Sequence, residues 1–130
     1  MVEFVCTLDE NQTNTWGYQG DIETVFTNLT TNAYKALKPL MPERYFKIEV
    51  LKEADNLVIY AENNGKVIEI ENRGKIFEPL FSTYSDGTGL GLTIVQDTLV
   101  NYGGRIELCS NYPETKFKIT IPQKEQPEEV

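Results

Sequence analysis

The strongest constraint on this chain is a hydrophobic period that switches between two values along its length. Val2, Phe4, Cys6 and Leu8 alternate as on one face of a strand, whereas Ile22, Phe26, Leu29, Ala33 and Leu37 recur at helical spacing. Asp21 is the expected N-cap of that helix, and Lys38-Pro39 ends it. Phe46 to Leu51 and Leu57 to Glu62 return to strand-like runs, joined by the polar segment 52–56. Leu92, Val95, Leu99 and Tyr102 mark the inner face of a second helix that Gly103-Gly104 caps. Residues 105–109 and 116–121 read as two closing strands. The segment from Val67 to Glu71 stays open: it is either a strand that makes 57–71 a tight hairpin around Asn63-Asn64-Gly65-Lys66, or a loop and short helical turn. Strand, helix, two or three strands, helix, two strands gives an α+β fold, a two-layer sandwich with helices on one face of a mixed sheet.

Composition narrows the function. With 130 residues, 40% of them apolar, the chain suits one domain, expected over 1–122, with 123–130 an acidic tail or linker. Twelve Lys and Arg against 20 Asp and Glu leave a net charge of -8, which argues against binding nucleic acid or an anionic membrane surface. There is no histidine, so the chain has no imidazole base, metal ligand or phosphoacceptor of that kind. Cys6 and Cys109 are too few for a disulfide scaffold or a zinc site and are expected as buried or half-buried thiols. No apolar run approaches the ~20 residues of a membrane span, and the first residues lack the pattern of a signal peptide. A cytoplasmic location is expected, and the start on a strand together with the acidic tail suggests a piece of a longer chain.

Two local patterns suit phosphate chemistry. Gly87, Gly89 and Gly91 alternate with Thr88 and Leu90 ahead of the second helix, where backbone N–H groups can approach an anion without Cβ obstruction. Asn28, Asn32 and Lys35 stand at i, i+4 and i+7, a polar stripe beside the apolar one of the first helix. Asparagine is a poor helix former, so two in mid-helix call for a reason. Two carboxamides and an ammonium suit a magnesium ion held largely by water and phosphate oxygens, with the lysine on a phosphate.

These patterns resemble a known family. Asn28-Leu29-Thr30-Thr31-Asn32-Ala33 resembles the N box of the superfamily that joins DNA gyrase, the Hsp90 chaperones, sensor histidine kinases and mismatch-repair ATPases. Ile76-Phe77-Glu78-Pro79-Leu80-Phe81-Ser82-Thr83 looks like the F box of its histidine-kinase branch, and Gly87-Thr88-Gly89-Leu90-Gly91-Leu92 like its G2 box. Thr115-Lys116-Phe117 up to Pro122 resembles the closing Thr-x-Phe…Pro stretch. The boxes fall in the family's order over about Phe4 to Pro122.

The resemblance implies the ATP-binding catalytic domain of a sensor histidine kinase, with the Bergerat fold and with ATP and Mg²⁺ as ligands. It would make Asn32 the principal Mg²⁺ ligand, with Asn28 on the same metal–phosphate cluster and Lys35 on a phosphate, Asn32 and Lys35 being the catalytic pair. Gly87, Thr88, Gly89, Leu90, Gly91 and Leu92 would cradle the phosphates, Thr115 would help anchor the adenine, and Phe77 to Asp86 would form the F box and a short lid. The G1 box departs from the family's Asp-x-Gly-x-Gly. The best ungapped match is Asn63-Asn64-Gly65-Lys66-Val67-Ile68, with Asn for Asp and Val for the second Gly, which would put Asn63, Gly65 and Ile68 at the adenine. A carboxamide oxygen can still accept from the adenine amino group, more weakly than a carboxylate. A rival register gives the role to Asn72-Arg73-Gly74. Ala36 also replaces a frequent aromatic, and Tyr84 a frequent Lys.

The hydrolytic branches place a general-base Glu one turn before the metal Asn; Asn28 stands there and cannot abstract a proton. Phosphoryl transfer needs mainly positioning and charge stabilisation. The expected activity is therefore that of a protein histidine kinase, acting on a histidine of a separate dimerisation domain and so indirectly on a response regulator. The alternatives are a degenerate interaction module of the same fold and, ranked last, an anti-sigma-factor-type Ser kinase.

Overall fold

The computed structural model describes residues 2–8, 19–37, 43–79, 91–110 and 114–122. The element order is β1 (Val2–Leu8), α1 (Gln19–Leu37), β2 (Arg44–Glu53), β3 (Asn56–Asn63), a 3-10 turn (Ile70–Asn72), α2 (Gly91–Val100), β4 (Arg105–Ser110) and β5 (Thr115–Pro122). Five strands form one sheet in the order β1-β2-β3-β5-β4. β1 runs parallel to β2, and the other pairs are antiparallel. The mixed sheet expected from the alternating periods is present. Gly87 to Leu90, the other residues of 80–90 and the tail 123–130 lie outside the described residues.

Strand alternation decides which side of the sheet the helices cover. Phe46, Ile48 and Val50 pair with Asn63, Ala61 and Ile59, which pair with Thr115, Phe117 and Ile119. All are buried, and the row is apolar except at its Asn63–Thr115 end. Leu29, Ala33 and Leu37 of α1 and Val95 and Leu99 of α2 close over it in one cluster. Burying such a side chain contributes about 1.5–3 kcal/mol, so these rows carry most of the stability. The opposite face is polar. Tyr60 there lies under the ammonium groups of Lys116 and Lys118, and its hydroxyl donates to Glu53, which also pairs with Lys118. Those two hydrogen bonds hold the exposed Glu53 carboxyl below its usual range, and burial followed by the Glu53 contact raises Tyr60.

α2 ends on a Schellman motif: Gly103 N–H donates to Val100 O at 3.0 Å and Gly104 N–H to Leu99 O at 2.9 Å. Gly103 takes φ +69, a conformation that costs a residue with a Cβ, so the expected glycine cap is there. The residue before it, Tyr102, donates its hydroxyl to Asp21 of α1. Asp21 is therefore not the N-cap; α1 starts at Gln19, and the carboxylate serves a partner on the other helix. Tyr102→Phe is expected to lower the unfolding free energy by about 1–2 kcal/mol, the range of a hydrogen bond to a charged group, in urea denaturation with an unchanged slope.

Two further expectations need correction, and one reading left open is decided. Ile22 is 41% exposed, and Val25, 5% exposed, takes its place in the core. Of the two readings of Val67 to Glu71, the loop with a short helical turn is the one present: 67–69 are irregular and Ile70, 76% exposed, sits in the 3-10 turn. Cys109 is exposed, not buried, at the irregularity where β4 slips register against β5 between Leu108 and Ser110. No helix among the described residues is long and apolar enough to cross a membrane.

Candidate functional site

The two helices pack antiparallel, which places the polar stripe of α1. Tyr102, past the end of α2, meets Asp21 in the first turn of α1, while Gly91, the first residue of α2, lies against Asn28. A Cβ added at Gly91 would stand 3.3 Å from Asn28 Oδ1. Asn28 Nδ2 donates to Thr24 O at 2.8 Å, which fixes the carboxamide and turns its oxygen toward the start of α2. Asn32 and Lys35 follow on the same face, about 6 and 10 Å further along α1 at 1.5 Å per residue. Because α2 runs back toward Asp21, its N-terminal N–H groups point toward this extension of the stripe. Asn28, Asn32 and Lys35 are all half-buried, and Leu92 packs half-buried against the core beside them.

The other end of the site is built where β3 stops. Asn63, 2% exposed, sits opposite Thr115 at the polar end of the buried row. Its Oδ1 accepts from Gly65 N–H at 3.0 Å, an Asx turn that folds the chain back onto α1. Lys66 N–H then donates to Ala36 O at 2.9 Å. Gly65 passes so close that an added Cβ would lie 2.3 Å from that same oxygen. Asn64 braces the turn from outside, accepting from Tyr45 N–H at 2.8 Å and donating to Glu43 O at 2.6 Å. Burial, then the hydrogen bond to Glu62, raises the Tyr45 phenol well above its usual range. Arg44 Nη1 donates to Leu37 O at 3.1 Å and so covers a carbonyl left over at the end of α1.

Thr115 Oγ1 is buried and has no hydrogen-bond partner among the described residues. A buried hydroxyl without a partner costs about 1–3 kcal/mol, so its presence beside the Asn63 carboxamide fits a ligand that brings a polar group to this spot. Ile68 and Phe77 are half-buried apolar residues packed on the core. The ring of Phe77 meets Phe117 edge-on, with centroids 6.4 Å apart. The rival triplet Asn72-Arg73-Gly74 lies in the 3-10 turn and the turn after it, and a Cβ at Gly74 would touch nothing within 4 Å. The register with the close backbone approach is that of Asn63 and Gly65.

Of the residues singled out in the sequence, the structure thus brings Asn28, Asn32, Lys35 and Gly91 to one end and Asn63, Gly65 and Thr115 to the other. Both ends lie along α1, because Asn28 faces α2 and Ala36 carries the Gly65 turn. Thr93 was missed. Its Oγ1 donates to Phe77 O at 2.9 Å and links α2 to the segment after the Asx turn. No local signal marks it, because the carbonyl it reaches lies 16 positions away in the sequence. A separate cavity of about 410 Å³ opens between Arg73, Gly74, Phe77, Leu108, Cys109 and Ser110, and shares only Phe77 with the candidate site.

This arrangement has counterparts in known proteins. A family model described as histidine kinase-, DNA gyrase B- and HSP90-like ATPase matches residues 17–125. The chain belongs to that family. Its likeness is to the histidine-kinase branch. The catalytic domain of histidine kinase ThkA, solved nucleotide-free, superposes with a TM-score of 0.79 at 27% identity, covering 94% of this chain and 79% of that one. The sensory histidine kinase/phosphatase NtrB of Proteus hauseri is 31% identical over 115 residues, 82% of this chain and 33% of that protein. The sensor protein TdiS of Thauera aromatica is 30% identical over 106 residues, 78% of this chain and 19% of that protein. This histidine-kinase ATPase domain therefore spans a third or less of these two curated relatives.

Proposed function

We propose that the domain binds Mg-ATP and supplies the γ-phosphate that is transferred to a histidine of a separate dimerisation domain. The observation that carries this reading is the antiparallel packing of α2 on α1. It aims the start of one helix at the Asn32–Lys35 end of a polar stripe, while at the opposite end of the site the buried Thr115 hydroxyl has no partner among the described residues. Asn32 and Asn28 would hold Mg²⁺ through their carboxamide oxygens, together with phosphate oxygens and water, and the ion would neutralise charge on the phosphates. Lys35 would add an ammonium to a phosphate. Gly91 and the glycines before it would offer backbone N–H groups.

At the other end, Asn63 would accept from the adenine amino group. Its oxygen already receives the Gly65 N–H, which holds the carboxamide in one orientation and leaves a second lone pair for the ligand. Thr115 Oγ1 would gain the partner it lacks, with Ile68 and Phe77 as apolar walls. Asn28 offers no base where the hydrolytic branches place one, so efficient hydrolysis is not expected and the phosphoryl group would pass to an acceptor that carries its own proton relay. That acceptor histidine lies on the same full-length chain or on a partner, with a response regulator downstream, in the cytoplasm.

The test is to mix the domain with a His-containing dimerisation domain and γ-labelled ATP. Label on the histidine, lost by at least about tenfold in Lys35→Ala, is the expected result, since one charged contact to the transferring group is removed. Nucleotide binding without any labelled histidine would overturn transfer. It would favour an interaction module, the reading that Asn63 in place of an aspartate motivates.

A further inference from the structure

The two ends of the candidate site rest on different elements. The start of α2 and the Asn28–Lys35 stripe make one; Asn63, Thr115 and the Gly65 turn make the other. Both touch α1, the second through the Lys66–Ala36 hydrogen bond, and among the described residues one side chain also ties the start of α2 toward the second end. Thr93 Oγ1, in the first turn of α2, donates to Phe77 O at 2.9 Å across 16 positions of sequence. Phe77 stands edge-on to Phe117, at an interplanar angle of 73°. Phe117 and Thr115 are both buried and lie two residues apart on β5, so they share the helix-facing side of the sheet. Thr93 itself is half-buried, and its hydroxyl is spent on this one link.

We infer that Thr93 is a positioning residue for nucleotide binding: through the Phe77 carbonyl it sets the separation between the start of α2 and the Thr115 end of β5. This rests on the Mg-ATP reading above. A ligand recognised at two points gains from both only when the points are held at its own length, because the second contact then forms at high effective concentration. Where the points can slide, the ordering falls on the binding step and weakens it. The far end of α2 is already tied to α1 by Tyr102 and Asp21. Thr93 is the corresponding tie near the site.

The distinguishing measurement compares a ligand that spans both ends with one that reaches a single end. Mg-ADP and adenosine are titrated into the wild type, Thr93→Val and Thr93→Ser, with a melting curve for each protein. Valine keeps the branched shape and loses the donor; serine keeps the donor. The expected result is that Thr93→Val weakens Mg-ADP about tenfold, the scale of one hydrogen bond, leaves adenosine within about twofold, and that Thr93→Ser recovers Mg-ADP to within about threefold. Equal weakening of both ligands, or of neither, overturns the role of Thr93. So does a folded Thr93→Ser that binds Mg-ADP no better than Thr93→Val, and if the valine variant does not fold, a folded Thr93→Ser that loses Mg-ADP decides the matter the same way. A wild type that binds no Mg-ADP overturns the nucleotide reading and the role of Thr93 with it, whereas wild-type binding with an unaffected Thr93→Val removes the role of Thr93 alone.

Discussion

Gly65→Ala is expected to destabilise the domain by about 3 kcal/mol, near the upper end for overpacking, and to remove nucleotide binding with it. The added methyl would stand 2.3 Å from Ala36 O, 2.5 Å from Ala36 C and 3.0 Å from Leu37 N. All three are backbone atoms in the last turn of α1, so no rotamer change can make room. Either the helix end or the turn must move, and the turn is held by the Lys66–Ala36 and Gly65–Asn63 hydrogen bonds. Moving it swings the Asn63 carboxamide away from Thr115, so the loss of affinity should exceed what the loss of stability explains. Gly20→Ala is the control. Gly20 lies in α1 with nothing among the described residues, beyond its neighbours and its own helix backbone, within 4 Å of its would-be Cβ, and alanine there should stabilise by about 0.5–1 kcal/mol. Urea denaturation of the two variants, read at equal slopes, checks both signs.

Asn32→Ala should do the opposite: leave the fold intact and remove the effect of magnesium. Asn32 is half-buried on a helix face and lies in no buried apolar cluster, and alanine is the better helix former by a few tenths of a kcal/mol. Its melting temperature should therefore equal or slightly exceed that of the wild type. Binding of ADP should fall about thirtyfold in the presence of Mg²⁺, the scale of about 2 kcal/mol for a contact to a charged group, and should no longer respond to EDTA. A variant that melts early instead would mean that the side chain serves packing, and the polar stripe would lose its functional meaning.

The layered fold was legible because it depends on period, and period survives in a single sequence. Strand alternation in Phe46–Leu51, the short apolar run Leu57–Glu62 and the 3.6 spacing from Phe26 to Leu37 need no knowledge of partners. What failed or stayed open depended on contacts across the chain. Asp21 looks like a cap by local chemistry, yet its carboxylate is taken by Tyr102, 81 positions away. Ile22 continues the apolar spacing but stands exposed, with Val25 in the core instead. Val67 to Glu71 alternate as well as any strand, but no strand edge is free beside them: β3 is already flanked by β2 and β5. Cys109 is exposed because the slip between β4 and β5 falls on it, a feature no pattern of residue types encodes.

The candidate site divides along the same line. Asn28, Asn32 and Lys35 were visible because one helix places them, and Gly65 because a glycine after two asparagines is a local turn signature. The reason for Gly65 was not visible, since it is the carbonyl of Ala36 on another element. Nor was the link from Thr93 to Phe77, which joins two segments that are each ordinary alone. Resemblance to a family supplied the roles; the packing of α2 against α1 supplies the physical ground on which those roles can be tried.

The most direct trial is calorimetry with Mg-ADP on the wild type, Asn32→Ala and Asn63→Ala, each with and without EDTA. The wild type should bind with an affinity that EDTA lowers. Asn63→Ala should bind more weakly but keep the response to EDTA, because it touches only the adenine end, and Asn32→Ala should lose that response. Equal affinity in all three proteins, or no heat from the wild type at millimolar nucleotide, would contradict the assignment of this site.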